Sequence, residues 1–168
     1  ISGLGDAILS AKPLIGNEPF GVILADDLCI TDNEGVLEQM LKVYNKYQCS
    51  IVAFEEVPNA EIHNYGIING NKVEENIYEI TDMVEKPDKE EIQSNMAIIG
   101  RYILTPDIFG ILEKMMPGKN GEIQITDALF QQSKKAKVIG YKFIGKRFDC
   151  GSLDGFLEAT NFLAKKYL

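Results

Sequence analysis

The stretch FGVILADDLCI, Phe20–Ile30, decides how the chain is read. Its first half, FGVILA, is an unbroken apolar run of strand length, the pattern of a strand covered on both faces of a sheet. The run stops at two adjacent carboxylates, Asp26 and Asp27, which are among the side chains least easily buried. One aspartate after a strand is an ordinary turn residue. A pair of them where a strand leaves a sheet raises the question of a bound cation.

Outward from this stretch the pattern repeats. NEGVLEQMLKVYNKYQ (33–48) sets Val36, Leu37, Met40, Leu41 and Tyr44 at three- and four-residue spacing, an amphipathic helix that Asp32 or Asn33 can cap. SIVAFEEV (50–57) is a second apolar strand, and strand–helix–strand is the βαβ unit of a parallel sheet. Asn69-Gly70, between the short β-prone runs of YGIINGNKV, signals a hairpin turn. NIYEITDMVEKP predicts a longer strand stopped by Pro87, and AIIGRYILT the next one. Pro106 opens a helix over DIFGILEKMM. A further helix begins near Thr126-Asp127, KVIGYKFIG returns as a strand, and SLDGFLEATNFLAKKYL closes as a helix with Ser152 at its N-cap. The expectation is one α/β domain with a hairpin elaboration.

Composition narrows the function classes. The chain has 168 residues, enough for one domain with a real core. With 25 acidic and 17 basic residues its net charge is −8, which argues against a nucleic-acid or anionic-membrane partner. Three widely spaced cysteines, Cys29, Cys49 and Cys150, predict free thiols and a cytoplasmic setting. His63 is the single histidine and no close ligand pairs occur, so a zinc site is not expected. No apolar run approaches the ~20 residues of a membrane span.

Several residues carry chemistry, each with a plainer alternative. Asp26 follows a strand where α/β sheets bind ligands, and carboxylates are the protein ligands Mg²⁺ favours. It can equally be an Asx-turn or a helix cap. Asp149, in KRFDCGS, follows another β-prone stretch and has the same two readings. Glu85 and Lys86, in VEKP, offer an acceptor for sugar hydroxyls and a point charge for a phosphate. On a regular strand they would point to opposite faces, so both reach one ligand only if the strand ends there. Without that they are an exposed charged strand end. Gly66 can bring backbone close to a ligand or mark a bulge, and Gly3, in GLG, can lie under a flat base or lead into a helix. Neither a P-loop nor a G-x-G-x-x-G pattern is present.

In their order, GLGDAIL, VILADD, YGII, VEKP, NMAIIGRYIL, GEIQITDAL and DCGS resemble the bacterial UTP–glucose-1-phosphate uridylyltransferases, a branch of the sugar-nucleotide pyrophosphorylases. The resemblance runs from Gly3 to the end of the chain. It implies a Rossmann-like nucleotidyltransferase fold: a mixed, mostly parallel sheet with helices on both faces. It also implies an enzyme that joins UTP and α-D-glucose 1-phosphate to give UDP-glucose and pyrophosphate. Carried over by position, Mg²⁺ falls to Asp26 and Asp149, the sugar to Glu85 and backbone Gly66, the phosphate to Lys86, and the uracil ring to Gly3. Asp27 is left facing the sugar. A homo-oligomer, dimer or tetramer, is implied as well.

The family's glycine-rich loop with a basic residue, which grips the triphosphate, has no counterpart here. The chain is therefore expected to be the C-terminal portion of a single nucleotidyltransferase domain, poorly soluble and inactive by itself. Two rival readings remain at this point: a non-catalytic sugar-phosphate binding or regulatory module, and a pyrophosphorylase for another sugar or base.

Overall fold

A computed structural model describes residues 2–88, 90, 93–118 and 121–167. Its frame is a six-stranded sheet in the order β1-β6-β3-β7-β5-β4, built from β1 (Phe20–Ile23), β3 (Ser50–Glu56), β4 (Gly66–Glu74), β5 (Ile77–Glu85), β6 (Met96–Leu104) and β7 (Val138–Lys142). A separate two-stranded ribbon pairs β2 (Asp27–Ile30) with β8 (Lys146–Asp149).

The central strands bury both faces, as their sequences predict. Along β3, Val52 and Phe54 enter one core and Ile51 and Ala53 the other. Along β6, Ile98, Tyr102 and Leu104 point to the first side, Ile99 and Ile103 to the second. This period-two division recruits α1 (Leu4–Ser10), α4 (Asp107–Leu112) and α5 (Ile125–Ser133) through Ile8, Ile108, Phe109, Ala128 and Leu129 to one face. The other face receives α3 (Val36–Tyr47) through Val36, Met40 and Val43; of the stripe read from the sequence, Val36 and Met40 are buried, Leu37 and Tyr44 pack at the margin, and Leu41 is exposed. A short α2 (Lys12–Ile15) follows α1, and α6 (Leu153–Tyr167) packs on β8 with Phe162 against Phe148, ring centroids 5.2 Å apart. The N-cap hydroxyl of Ser152 accepts the Gly155 N–H at 3.1 Å, as expected.

Four expectations change. The sheet is mixed, but among the described residues β3–β7 is its one parallel pairing, because β6 runs antiparallel between β1 and β3. The unit read as βαβ therefore has its two strands parallel but not adjacent. β1 is not covered on both faces. It is an edge strand with alternating burial, and Ile23 is 58% exposed. The hairpin joins β4 to β5, yet its turn is Glu75-Asn76, with Asn76 in the left-handed region (φ 61°). Asn69-Gly70 instead marks a shift of register inside the ladder, where the Asn69 side chain accepts its neighbour's N–H at 3.0 Å. Finally, Gly35 rather than Asp32 or Asn33 caps α3, and Asp32 pairs with Lys166 at 2.9 Å.

Candidate active site

The strand ends and the ribbon meet around an open cleft of about 290 Å³. Asp26, Gly66, Glu85, Lys86 and Asp149 all line it, although up to 123 positions separate them in the chain. Gly3 stands just outside and caps α1, where Leu4, the next residue, reaches the lining. Its φ of 96° suits glycine, and a β-carbon there would come within 2.8 Å of the Ile123 carbonyl oxygen.

The two aspartates converge because the ribbon aligns them. β2 and β8 are antiparallel with Asp27 opposite Asp149, so Asp26, one residue earlier, sits beside the end of β8. The Cys150 N–H closes the junction on the Asp26 carbonyl at 2.7 Å. The Asp149 Oδ1 and Asp26 Oδ2 atoms lie 3.1 and 3.3 Å from the place a Gly151 β-carbon would occupy. Two carboxylate oxygens thus flank one small space. No group of three or more His, Cys, Asp or Glu side chains able to hold a metal occurs among the described residues.

On the opposite wall β4 begins where β5 ends, with Gly66 paired to Glu85. The backbone turns immediately afterwards. Lys86 has φ 46°, a left-handed conformation unusual for lysine, and its N–H bonds the Tyr65 carbonyl at 3.0 Å. The kink ends strand alternation, so Glu85 and Lys86 line the same cleft instead of opposite faces. Glu85 Oε2 accepts a 2.6 Å hydrogen bond from the Thr126 hydroxyl, which enters from the first turn of α5.

Sequence reasoning missed the residue that ties the walls together. The Arg147 side chain is 7% exposed. It donates through Nε to Asp27 Oδ1 and through Nη1 to Glu55 Oε1 at 2.9 Å, and its Nη2 lies 3.4 Å from Asp149 Oδ2. Its guanidinium also sits over the Tyr65 ring, 4.9 Å from the centroid, and the Tyr65 hydroxyl donates to Asp149 Oδ2 at 3.2 Å. Burial works against the charge of Arg147, but Tyr65, Asp27 and Glu55 more than offset it and raise its pKa further. Burial raises the Tyr65 pKa too, which keeps the hydroxyl a proton donor. One signal was available: Arg147 and Asp149 are two apart on a strand and share a face.

Asp27 also lines the cleft, but its carboxylate is turned into the protein. It is 7% exposed and besides Arg147 accepts the Gly100 N–H at 2.6 Å, while its carbonyl accepts Arg101 Nη2 at 2.5 Å. Both carboxylate oxygens are bonded to the protein and buried; Asp149 also has both oxygens bonded, Oδ1 by the Gly151 N–H at 3.1 Å and Oδ2 by the Tyr65 hydroxyl, but its side chain stays open to solvent. The paired aspartates therefore divide: Asp26 opens to the cleft and Asp27 anchors the ribbon. The three cysteines are free, as expected. No helix among the described residues is long and apolar enough to cross a membrane.

Comparison with known proteins bears on the family and the fold. Residues 1–166 match the family model described as nucleotidyl transferase. The chain is 58% identical over 163 residues to a UTP–glucose-1-phosphate uridylyltransferase of Pseudomonas aeruginosa, covering 96% of this chain and 58% of that protein. A Staphylococcus epidermidis protein of the same name is 43% identical over 158 residues, 94% of this chain and 54% of its own. Among solved structures, a UDP-glucose pyrophosphorylase complexed with UDP-glucose superposes with a TM-score of 0.96 at 61% identity, covering 98% of this chain and 63% of that one. The chain thus spans somewhat more than half the length of the relatives it matches. With the family model matching nearly the whole chain and the fold superposing on a relative's, the chain belongs to the nucleotidyl transferase family.

Proposed function

We propose that the protein carrying this chain joins UTP and α-D-glucose 1-phosphate, giving UDP-glucose and pyrophosphate. The observation that carries the reading is the convergence of Asp26, Asp149, Gly66, Glu85 and Lys86 on one cleft. Its likeness to proteins named for this activity, one of them complexed with UDP-glucose, supports the choice of substrates.

In this reading a phosphate oxygen of glucose 1-phosphate attacks the α-phosphorus of UTP in line. The bond from that phosphorus to the β-phosphate bridge breaks, and pyrophosphate leaves with the electron pair. The nucleophile is already an anion near neutral pH, so the site needs no general base, and His63 does not line the cleft. The residues act by positioning and by charge. Lys86 holds the attacking phosphate, and the left-handed turn at its backbone brings it beside Glu85. Glu85 accepts sugar hydroxyls while the Gly66 backbone borders the ring. Gly3 lies by the uracil.

Asp26 and Asp149 would hold Mg²⁺. The donor set fits: two hard carboxylate oxygens flanking one space, with the remaining positions for water and phosphate oxygens. When bound, the ion offsets repulsion between the two phosphate groups. The reading further puts the protein in the cytoplasm as a dimer or tetramer, which light scattering on the purified protein checks.

The test is pyrophosphate release from UTP and glucose 1-phosphate, with and without Mg²⁺, and with other sugar phosphates and nucleoside triphosphates as alternatives. Mg²⁺-dependent release that is strongest with this pair supports the proposal. Binding of glucose 1-phosphate without release would make the protein a binding module, and a stronger response to another sugar or base would reassign its substrates.

A further inference from the structure

We infer that Thr126 is a positioning residue for sugar recognition: its hydroxyl holds the Glu85 carboxylate in the one orientation that accepts a sugar hydroxyl. The inference rests on the proposed role of Glu85.

Thr126 is 2% exposed, and its side-chain hydroxyl makes one hydrogen bond among those described, the 2.6 Å bond to Glu85 Oε2. The two residues are 41 positions apart and belong to different elements, so the contact is tertiary. A carboxylate on a three-torsion side chain at a strand end has several rotamers open to it, and most would not serve a ligand. A donor of fixed position selects among them. Thr126 is such a donor, because it is the second residue of α5 and burial immobilises it. Its β-branched side chain also has restricted χ1 freedom.

The space around the pair is built to the same end. Gly66 lies opposite Glu85 in the ladder. A β-carbon there would lie 2.9 Å from Glu85 Oε2, closer than real contacts come, and 3.0 Å from Thr126 Oγ1, tighter than most. The missing side chain at Gly66 is the room in which the hydrogen bond forms. With Oε2 bonded to Thr126, Oε1 of Glu85 is the oxygen with no hydrogen bond among the described residues, and it can accept a hydroxyl at a set place. A shift of about 1 Å in such a group costs selectivity rather than folding.

The experiment compares Thr126→Val, which keeps the shape and removes the hydroxyl, with Thr126→Ser, which keeps the hydroxyl and removes the methyl. Glu85→Ala is the reference, and all are made in the protein that carries this chain. Thr126→Val should raise KM for glucose 1-phosphate about tenfold, the lower range for losing a hydrogen bond to a charged group. KM for UTP should move less than about twofold, and preference for glucose over galactose 1-phosphate should fall. Thr126→Ser should restore both the sugar-phosphate KM and the preference. If Val and Ser behave alike, or if both substrate constants rise together, the inference is overturned. If Glu85→Ala raises the sugar-phosphate constant and Thr126→Val does not, Thr126 has no positioning role although Glu85 keeps its own. If Glu85→Ala itself has no effect, the role of Glu85 fails and Thr126 falls with it. Thermal midpoints of the variants exclude loss of fold as the cause of a changed constant.

Discussion

Replacing Arg147 by methionine should destabilise the protein more than any other single change at the cleft. Methionine keeps much of the length and removes the charge. What remains depends on how well each carboxylate manages without its partner. The Asp27 side chain is 10% exposed and would be left buried with the Gly100 N–H as its main support. Breaking a buried pair from one side costs about 3–5 kcal/mol. The Glu55 and Asp149 side chains are 29% and 39% exposed, so water takes over much of their solvation. Each adds at most about 1 kcal/mol. The sum is therefore dominated by Asp27, at about 4 kcal/mol. For an m-value near 2 kcal/mol/M, the urea midpoint should fall by about 2 M. Adding Asp27→Asn to the Arg147→Met protein should recover a large part of that loss, because the uncompensated charge is then gone, and the double-mutant cycle reads this coupling directly. A loss below about 1 kcal/mol, or no recovery in the double variant, would refute the account of Arg147 as the partner of a buried carboxylate.

Other substitutions separate the proposed roles. Asp149→Asn should lower Mg²⁺-dependent turnover by at least about a hundredfold, the scale of losing an electrostatic group at a transferring phosphate, while leaving the circular dichroism spectrum unchanged. Lys86→Ala should weaken glucose 1-phosphate more than UTP, by about 1.5–3 kcal/mol or one to two decades; equal loss for both would point to the fold or to the triphosphate. Gly66→Ala forces a β-carbon against Glu85 and Thr126 and should cost about 1–3 kcal/mol of stability, together with a raised sugar-phosphate KM, read by thermal melts and initial rates. Burial pushes the thiols of Cys29 and Cys49 up to about 11, so both should stay protonated and resist iodoacetamide at pH 8 in the folded protein, and react once urea unfolds it. Rapid alkylation of either in the native state would contradict the packing.

What could be read beforehand was what is local. The apolar runs in SIVAFEEV and AIIGRYILT specify β3 and β6, and Val36 and Met40 of the helical stripe mark the buried face of α3, although Val43 on that face was not read and Leu41 of the stripe is exposed. The grouping of Asp26, Glu85, Lys86 and Asp149 came from their order in the chain and from resemblance, and the fold brings them to one cleft. What escaped depends on distant partners. Asn69-Gly70 has the chemistry of a hairpin turn, but the ladder runs on through it and places the turn at Asn76. FGVILA reads as a covered strand, yet only β6 pairs with it among the described residues. Arg147 sits in a basic dipeptide that resembles any solvated pair. Its burial arises from Asp27, 120 positions away, once β2 and β8 pair. Thr126 looked like the start of a helix, which it is. Its bond to Glu85 follows only when α5 is laid against the sheet.

The cleft has two walls with separate foundations. Asp26 and Asp149 ride on the small β2–β8 ribbon, whereas Gly66 and Glu85 belong to the β4–β5 ladder of the large sheet and Lys86 follows it. The ribbon is a lever whose fulcrum is the pair of arginines: Arg147 reaches across to Glu55 on β3, and Arg101 on β6 grips the ribbon by the Asp27 carbonyl. A disturbance at Phe148 in the ribbon, or at Phe162 of α6 packed on it, would carry both aspartates along together and preserve their mutual spacing. The span from either aspartate to Lys86 would change instead. Variation at Phe148 or in α6 behind it should thus change the gap between the aspartates and Gly66, Glu85 and Lys86 without altering a residue that lines the cleft.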